Sequence, residues 1–87
     1  MKYRSRTDIV GLILEAANGG GATKTKIMYK AFLSYAQLKE YLGMLLENGL
    51  LEYERETHSF RTTEKGLHIL QMYNQFDEML LIENIKR

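Results

Sequence analysis

The sequence predicts a mainly α-helical α+β domain, with three helices followed by a two-stranded hairpin and one long helix. Two observations carry this prediction. Before residue 50 and again after residue 63, apolar residues recur three and four positions apart, which is the spacing of one helix face. Between residues 51 and 62 the period shortens to two, the spacing of a half-buried strand. The chain has no proline, so each helix can run unbroken.

The first helix is expected over about residues 7–18. Its apolar face is formed by Ile9, Leu12, Ile13 and Ala16. Ser5 and Asp8 have the spacing of a capping box, in which each side chain bonds the backbone N–H of the other residue. Asn18 and the three glycines after it are expected to end the helix, since glycine adopts positive φ freely.

Two more helices are expected before residue 50. Thr23 is the predicted cap of a helix over about residues 24–31, and Ser34 the predicted cap of one over about 34–48 that ends at Asn48 and Gly49. Phe32 and Leu33, which connect the two helices, are expected to be apolar anchors. Residues 51–63 then form the hairpin, and the last helix runs over about 64–86.

Length and composition limit the class of protein. An 87-residue chain has room for one domain. Because the chain has no cysteine, neither a disulfide nor a thiolate metal site can stabilise that domain. There is no apolar run of signal-peptide or membrane-spanning length, so we expect a cytoplasmic protein with no membrane partner. Residues 1–30 carry six basic and two acidic side chains (net +4), whereas residues 31–56 carry two basic and five acidic (net −3).

The predicted order of elements is that of a winged helix-turn-helix, a fold that binds double-stranded DNA. Residues 1–63 would form the DNA-binding domain, and residues 64–87 a C-terminal helix within the same structural unit. The recognition helix would be residues 34–48 in the major groove, whose width suits a helix. The wing, residues 51–63, would meet the backbone or the minor groove.

Candidate DNA-contacting residues are the polar, basic and aromatic side chains of these elements and of the N-terminal arm. They are Lys24, Lys26, Lys30, Ser34, Tyr35, Gln37, Lys39, Arg55, His58, Arg61, Arg4 and Arg6. Tyr35 either contacts DNA or packs under the turn, whereas Tyr29 and Tyr41 are expected to pack, because aromatic residues at helical spacing usually serve the core.

The last helix is longer than a core of this size can cover. Its apolar residues either fold back on the first helix or leave a coiled-coil surface for a second copy of the chain, and we favour the second alternative. The predicted dimerisation residues are Ile69, Met72, Tyr73, Phe76, Met79, Leu80 and Glu83.

Four stretches of the chain resemble the small archaeal winged-helix proteins of about ten kilodaltons. They run from Thr23 to Ala31, from Leu33 to Tyr35, from Leu42 to Leu51 and from Thr63 to Gly66. The resemblance covers nearly the whole chain. It implies DNA binding, a homodimer held by an antiparallel coiled coil of the last helices, and a role as a transcription regulator or a nucleoid-associated chromatin protein. The near-neutral charge and the glutamate-rich strand (Glu52, Glu54, Glu56) depart from a strongly basic chromatin protein.

Other classes of function have weaker support in the sequence. Gly19 to Thr25 lacks the glycine directly before Lys-Ser/Thr that a phosphate-binding loop needs. His58 and His68 are too few to form a metal site, and no nucleophile with its base stands out, so we expect no enzyme, cofactor, metal or small-molecule ligand. The alternative to DNA binding is a protein-interaction module that docks a partner through its acidic wing and long helix.

Overall fold

The computed structural model describes residues 5–86, with side chains described through residue 79. Its elements are α1 (Arg6–Ala16), β1 (Ala22–Thr23), α2 (Lys24–Ala31), α3 (Tyr35–Glu47), β2 (Leu51–Glu54), β3 (Ser59–Thr62) and α4 (Glu64–Lys86). The mainly helical winged-helix fold predicted from the sequence is confirmed. Predictions for Arg4 and for the side chains of Leu80 and Glu83 lie outside the described residues.

The predicted helix caps form as expected. Ser5 and Asp8 make both bonds of a capping box at the start of α1, and the Thr23 side chain accepts from the Lys26 N–H at the start of α2. Ser34 forms a second capping box with Gln37 at the start of α3. Each cap satisfies backbone N–H groups that the first helical turn leaves unpaired, which fixes where the helix begins.

The sheet has three antiparallel strands in the order β1-β3-β2. The hairpin of β2 and β3 pairs Leu51 with Thr62 and Glu54 with Ser59. The two-residue β1, absent from the sequence prediction, pairs with the far edge of β3. Gly21 permits this approach, because it has φ +88° and a Cβ there would lie 3.0 Å from the Phe60 carbonyl oxygen.

One hydrophobic core joins the three N-terminal helices, the sheet and the start of α4. Its fully buried residues come from α1, α2 and α3, and include Ile13, Leu14, Ile27, Leu38 and Leu45. The strands contribute Leu51 and Phe60 to the same core, and α4 contributes Leu70. Thr62 ties β3 to α1, since its backbone N–H bonds the Ala17 carbonyl and its hydroxyl donates to the Leu14 carbonyl.

Two expectations about aromatic side chains were wrong. Tyr29 is 83% exposed and does not pack, although Tyr41 is buried as expected. Phe32 is 75% exposed, so only Leu33 anchors the connector. Phe32 points outward because it is the C-cap of α2 in the left-handed conformation (φ 54°, ψ 51°), which turns the chain sharply before α3.

Candidate nucleic-acid interface

The turn between α2 and α3 sets the geometry of the candidate interface. The Phe32 N–H bonds the Tyr29 carbonyl and the Leu33 N–H bonds the Met28 carbonyl, which closes α2 within two residues. Ser34 then starts α3 at once through its capping box with Gln37. Two helices joined by so short a turn place the lysines of α2 beside the N-terminal half of α3.

The basic side of this unit is α2. Lys24, Lys26 and Lys30 are all exposed, and the Lys24 ammonium lies 5.7 Å from the centre of the Tyr35 ring. From residue 16 to residue 39 the chain carries four lysines and no acidic residue. The predicted phosphate-contacting lysines are therefore accessible and unopposed by carboxylates of their own segment.

The residues at the start of α3 that were predicted to contact DNA are all exposed, and the side directly opposite the core carries further residues. Leu38, Tyr41, Leu42 and Leu45 are buried, so helical spacing turns the opposite side outward, and the residues there are Ala36, Glu40, Gly43 and Glu47. Two of these residues are small and two are acidic. Lys39 is exposed at the edge of this face. The predicted DNA-contacting residues of α3 did not include these two glutamates.

Ser34 and Gln37 are already engaged by the fold. The Gln37 side-chain oxygen accepts from the Ser34 N–H at 3.1 Å and from the Ser34 hydroxyl at 3.2 Å, while the Gln37 N–H donates to that hydroxyl. Bidentate reading of adenine needs both the oxygen and the NH₂ of an amide. Gln37 would have to release the cap of α3 before it bound a base in this way.

The wing is acidic, and its predicted basic contacts are partly occupied. The Arg61 guanidinium forms an ion pair with Glu54 and lies 3.8 Å from a Glu52 carboxylate oxygen across the hairpin. His58, at the tip with φ 52°, lies with its Nδ1 3.1 Å from the Tyr53 hydroxyl. Arg55 is exposed at the turn. The charge of Arg61 is therefore balanced within the fold, whereas Arg55 lies open to solvent.

The N-terminal arm is tied to the body at Arg6. The Arg6 guanidinium lies 5.1 Å from the centre of the Tyr41 ring, in a cation–π contact between α1 and α3. This contact places a basic side chain next to the third helix, although the ring itself is buried.

The C-terminal stripe of α4, formed by Ile69, Met72, Phe76 and Met79, is exposed along its length. The exposed fractions are 36% for Ile69, 54% for Met72, 62% for Phe76 and 63% for Met79. The hydrophobic core instead packs against the adjacent side of α4, where Leu70 is buried and Leu67 is partly buried. Of the two alternatives left open by the sequence, the stripe does not fold back on α1.

Tyr73, also predicted for dimerisation, is partly buried and contacts α1 of its own chain. Its ring packs over Gly11, where a Cβ would lie 2.9 Å from the Tyr73 Cε2 atom, and its hydroxyl donates to Asp8 at 2.9 Å. Burial, the hydrogen bond to Asp8 and the negative charges of Asp8, Asp77 and Glu15 raise the pKa of Tyr73 to about 12. This contact joins α4 to α1.

No helix in the described part of the chain combines the length and apolarity needed to span a bilayer. Within the same residues, no group of three or more His, Cys, Asp or Glu side chains is placed to hold a metal ion.

Comparison with known proteins identifies the family. A model described as winged helix-turn-helix matches residues 3–81, and the chain belongs to that family. An uncharacterized protein of Methanocaldococcus jannaschii is 31% identical over 83 residues, which cover 95% of this chain and 80% of that protein.

A solved structure shares the fold. The crystal structure of Sso10a-2, described as a DNA-binding protein from Sulfolobus solfataricus, matches 95% of this chain and 86% of its own, with a TM-score of 0.77 and 24% identity. Both relatives are archaeal, in line with the resemblance seen in the sequence.

Proposed function

We propose that this chain binds double-stranded DNA through α2 and α3, with α3 in the major groove and the lysines of α2 on the phosphate backbone. The observation that carries the proposal is the set of exposed lysines on α2, a helix with no acidic residue of its own, which a three-residue turn joins to α3 and whose Lys24 ammonium lies 5.7 Å from the centre of the Tyr35 ring. Membership of the winged helix-turn-helix family and the fold shared with a DNA-binding protein support it.

The charge of α3 favours selective binding over uniform coating of DNA. Glu40 and Glu47 lie on the side of α3 that would face the groove, where carboxylates are repelled by the phosphates. A carboxylate in the major groove is compensated where it accepts a hydrogen bond from the cytosine amino group. The proposed role is therefore a transcription regulator or chromatin-associated protein that discriminates among sequences, acting in the cytoplasm at the nucleoid.

The proposed active form is a homodimer. The C-terminal stripe gives α4 a contiguous apolar surface with the three- and four-residue spacing of a coiled coil, and monomeric soluble proteins rarely expose such a surface. Pairing two α4 helices would hold two recognition helices at a fixed separation on one duplex.

Titration of a labelled random-sequence duplex at several salt concentrations tests the DNA proposal. Lysines on phosphates release counterions, so the affinity of the wild type should fall steeply with salt. Replacing Lys24, Lys26 and Lys30 with alanine should weaken binding and flatten the slope of log affinity against log salt by about 0.9 for each phosphate that is no longer neutralised. Lys65→Ala is the matched control, because the Lys65 ammonium donates to the Asn48 carbonyl at the other end of α3.

The second candidate function is a protein-interaction module, favoured by the acidic wing in which Glu52 and Glu54 neutralise Arg61. A folded wild type that fails to bind duplex DNA even at low salt would reject the DNA proposal and leave this candidate. An unchanged salt slope in the triple lysine variant would reject the placement of the interface on α2.

A further inference from the structure

The α2–α3 turn exposes three aromatic rings among its lysines. Tyr29 is 83% exposed, Phe32 75% and Tyr35 56%. Together with Lys24, Lys26 and Lys30 they form what we call the aromatic–lysine surface. Tyr29 and Phe32 border one shallow apolar groove of about 450 Å³, whose remaining lining is Met28 and Leu33.

Phe32 holds its exposed position at a conformational cost. Its φ of 54° lies in the left-handed region, where glycine is the usual residue at a helix C-terminus and a bulky side chain is an outlier. Non-glycine residues in this conformation are strained and concentrate at functional sites.

We propose that the aromatic–lysine surface binds single-stranded nucleic acid, with unpaired bases stacked on Tyr29 and Phe32 and the lysines on the strand's phosphates. Exposed aromatic rings within a cationic surface are the arrangement that holds single strands with little sequence preference. The inference goes beyond duplex binding, since it rests on the rings, which a duplex cannot use while its base faces are stacked within the helix.

Charge decides between a nucleic acid and a protein as the occupant. An apolar groove alone would suit either, but here the groove lies in a segment with four lysines and no acidic residue between positions 16 and 39. The Lys24 ammonium is held 5.7 Å from the centre of the Tyr35 ring, which places a cation beside an aromatic face. A polyanion with flat apolar bases matches both features of the surface.

The test uses fluorescence anisotropy with a labelled oligothymidine, which does not pair with itself, and a random-sequence duplex in parallel. The variants are Tyr29→Ala, Phe32→Gly and their combination, and Tyr29→Phe is the matched control that keeps the ring. Both ring deletions are compatible with the fold: alanine is a strong helix former at an exposed position of α2, and glycine accepts the φ of residue 32 without strain.

We expect the wild type to bind oligothymidine and each ring deletion to weaken that binding about fivefold or more, while Tyr29→Phe binds as the wild type does. The ring deletions should weaken oligothymidine binding more than duplex binding, and the duplex titration of the wild type shows separately whether the proposed duplex binding holds. Equal oligothymidine binding by the wild type and the double variant would overturn the stacking proposal and leave lysine attraction alone. An absence of oligothymidine binding at low salt would also overturn it.

Discussion

The placement of α4 on the body depends on Gly66, and substitution there is the sharpest structural test. A Cβ on Gly66 would overlap the Leu50 carbonyl oxygen and lie 2.9 Å from the Thr62 Cγ2 atom. The carbonyl has little room to move, because it accepts the Thr63 N–H at 3.1 Å and belongs to the residue before β2. Gly66→Ala therefore has two opposing effects: the higher helix propensity of alanine stabilises the fold, and the steric overlap of its Cβ destabilises it.

The two effects differ in size. Alanine in place of glycine inside a helix stabilises by about 1 kcal/mol at most. Inserting a methyl group into a packed site costs about 1–3 kcal/mol, and more where the obstructing atom is backbone. We expect the overlap to dominate and Gly66→Ala to lower the free energy of unfolding by about 1–2 kcal/mol after the gain in helix propensity is subtracted, which is a fall in Tm of about 5–15 °C for a domain of this size.

Gly43→Ala is the matched control, since both glycines lie in helices and a Cβ on Gly43 meets nothing within 4 Å. That variant should gain about 0.5–1 kcal/mol and raise Tm. Thermal unfolding monitored by circular dichroism, at one fixed chain concentration, measures the Tm of both glycine variants. A Gly66→Ala protein that melts at or above the wild-type Tm would refute the packing of α4 against the loop before β2.

Three further predictions concern α4 and the wing. Phe76→Glu should convert a dimer to a monomer in sedimentation equilibrium without lowering the stability of the body, because Phe76 is 62% exposed in the protomer. Since the pKa of Tyr73 is raised to about 12, its contribution to stability is complete below the unfolded pKa of 10 and is lost as the pH rises towards 12. The fall in unfolding free energy over that range should be smaller in Tyr73→Phe. Changing Glu52 and Glu54 together to glutamine should free Arg61 and strengthen duplex binding at low salt.

Each of these predictions has a control or a contrary result. Gln71→Glu adds the same charge on the exposed side of α4 away from the stripe and should leave the mass unchanged, whereas a dimeric Phe76→Glu would place the interface elsewhere. If the unfolding free energy fell equally between pH 10 and 12 in the wild type and in Tyr73→Phe, the contact with Asp8 would be contradicted. Tyrosinate absorbance, measured in parallel, reports the ionisation of the tyrosines over the same range. An unchanged duplex affinity in the double glutamine variant would mean that the wing does not approach DNA.

Local signals in the sequence were sufficient for most of the fold. Ser5, Thr23 and Ser34 have side chains that cap a helix by bonding N–H groups two or three residues ahead, so they mark helix starts from sequence alone. The change of period after Asn48 and Gly49 likewise locates the hairpin, because strand and helix bury different spacings of apolar residues. These features depend only on neighbours along the chain.

What the sequence left out depends on contacts between distant residues. The strand β1 has two residues, too few to show a period, and exists because Gly21 lets it approach β3. The exposure of Phe32 follows from a left-handed turn where sequence rules expect glycine. The pairing of Arg61 with glutamates depends on hairpin register, which places residue 61 opposite Glu52.

The candidate interface was predictable as a segment but less so in its chemistry. The lysines of α2 are exposed as expected, yet the outward face of α3 carries Glu40 and Glu47, which a search for basic residues passes over. The dimerisation residues and the DNA contacts remain predictions.

The most direct test of the central claim is to titrate the isotope-labelled protein with a short duplex and follow its backbone amide signals by NMR. If α2 and α3 form the duplex interface, the largest shifts should fall between residues 23 and 40 and weaken as salt is added. Shifts concentrated in the wing or on α4, or no shifts at low salt, would contradict the account.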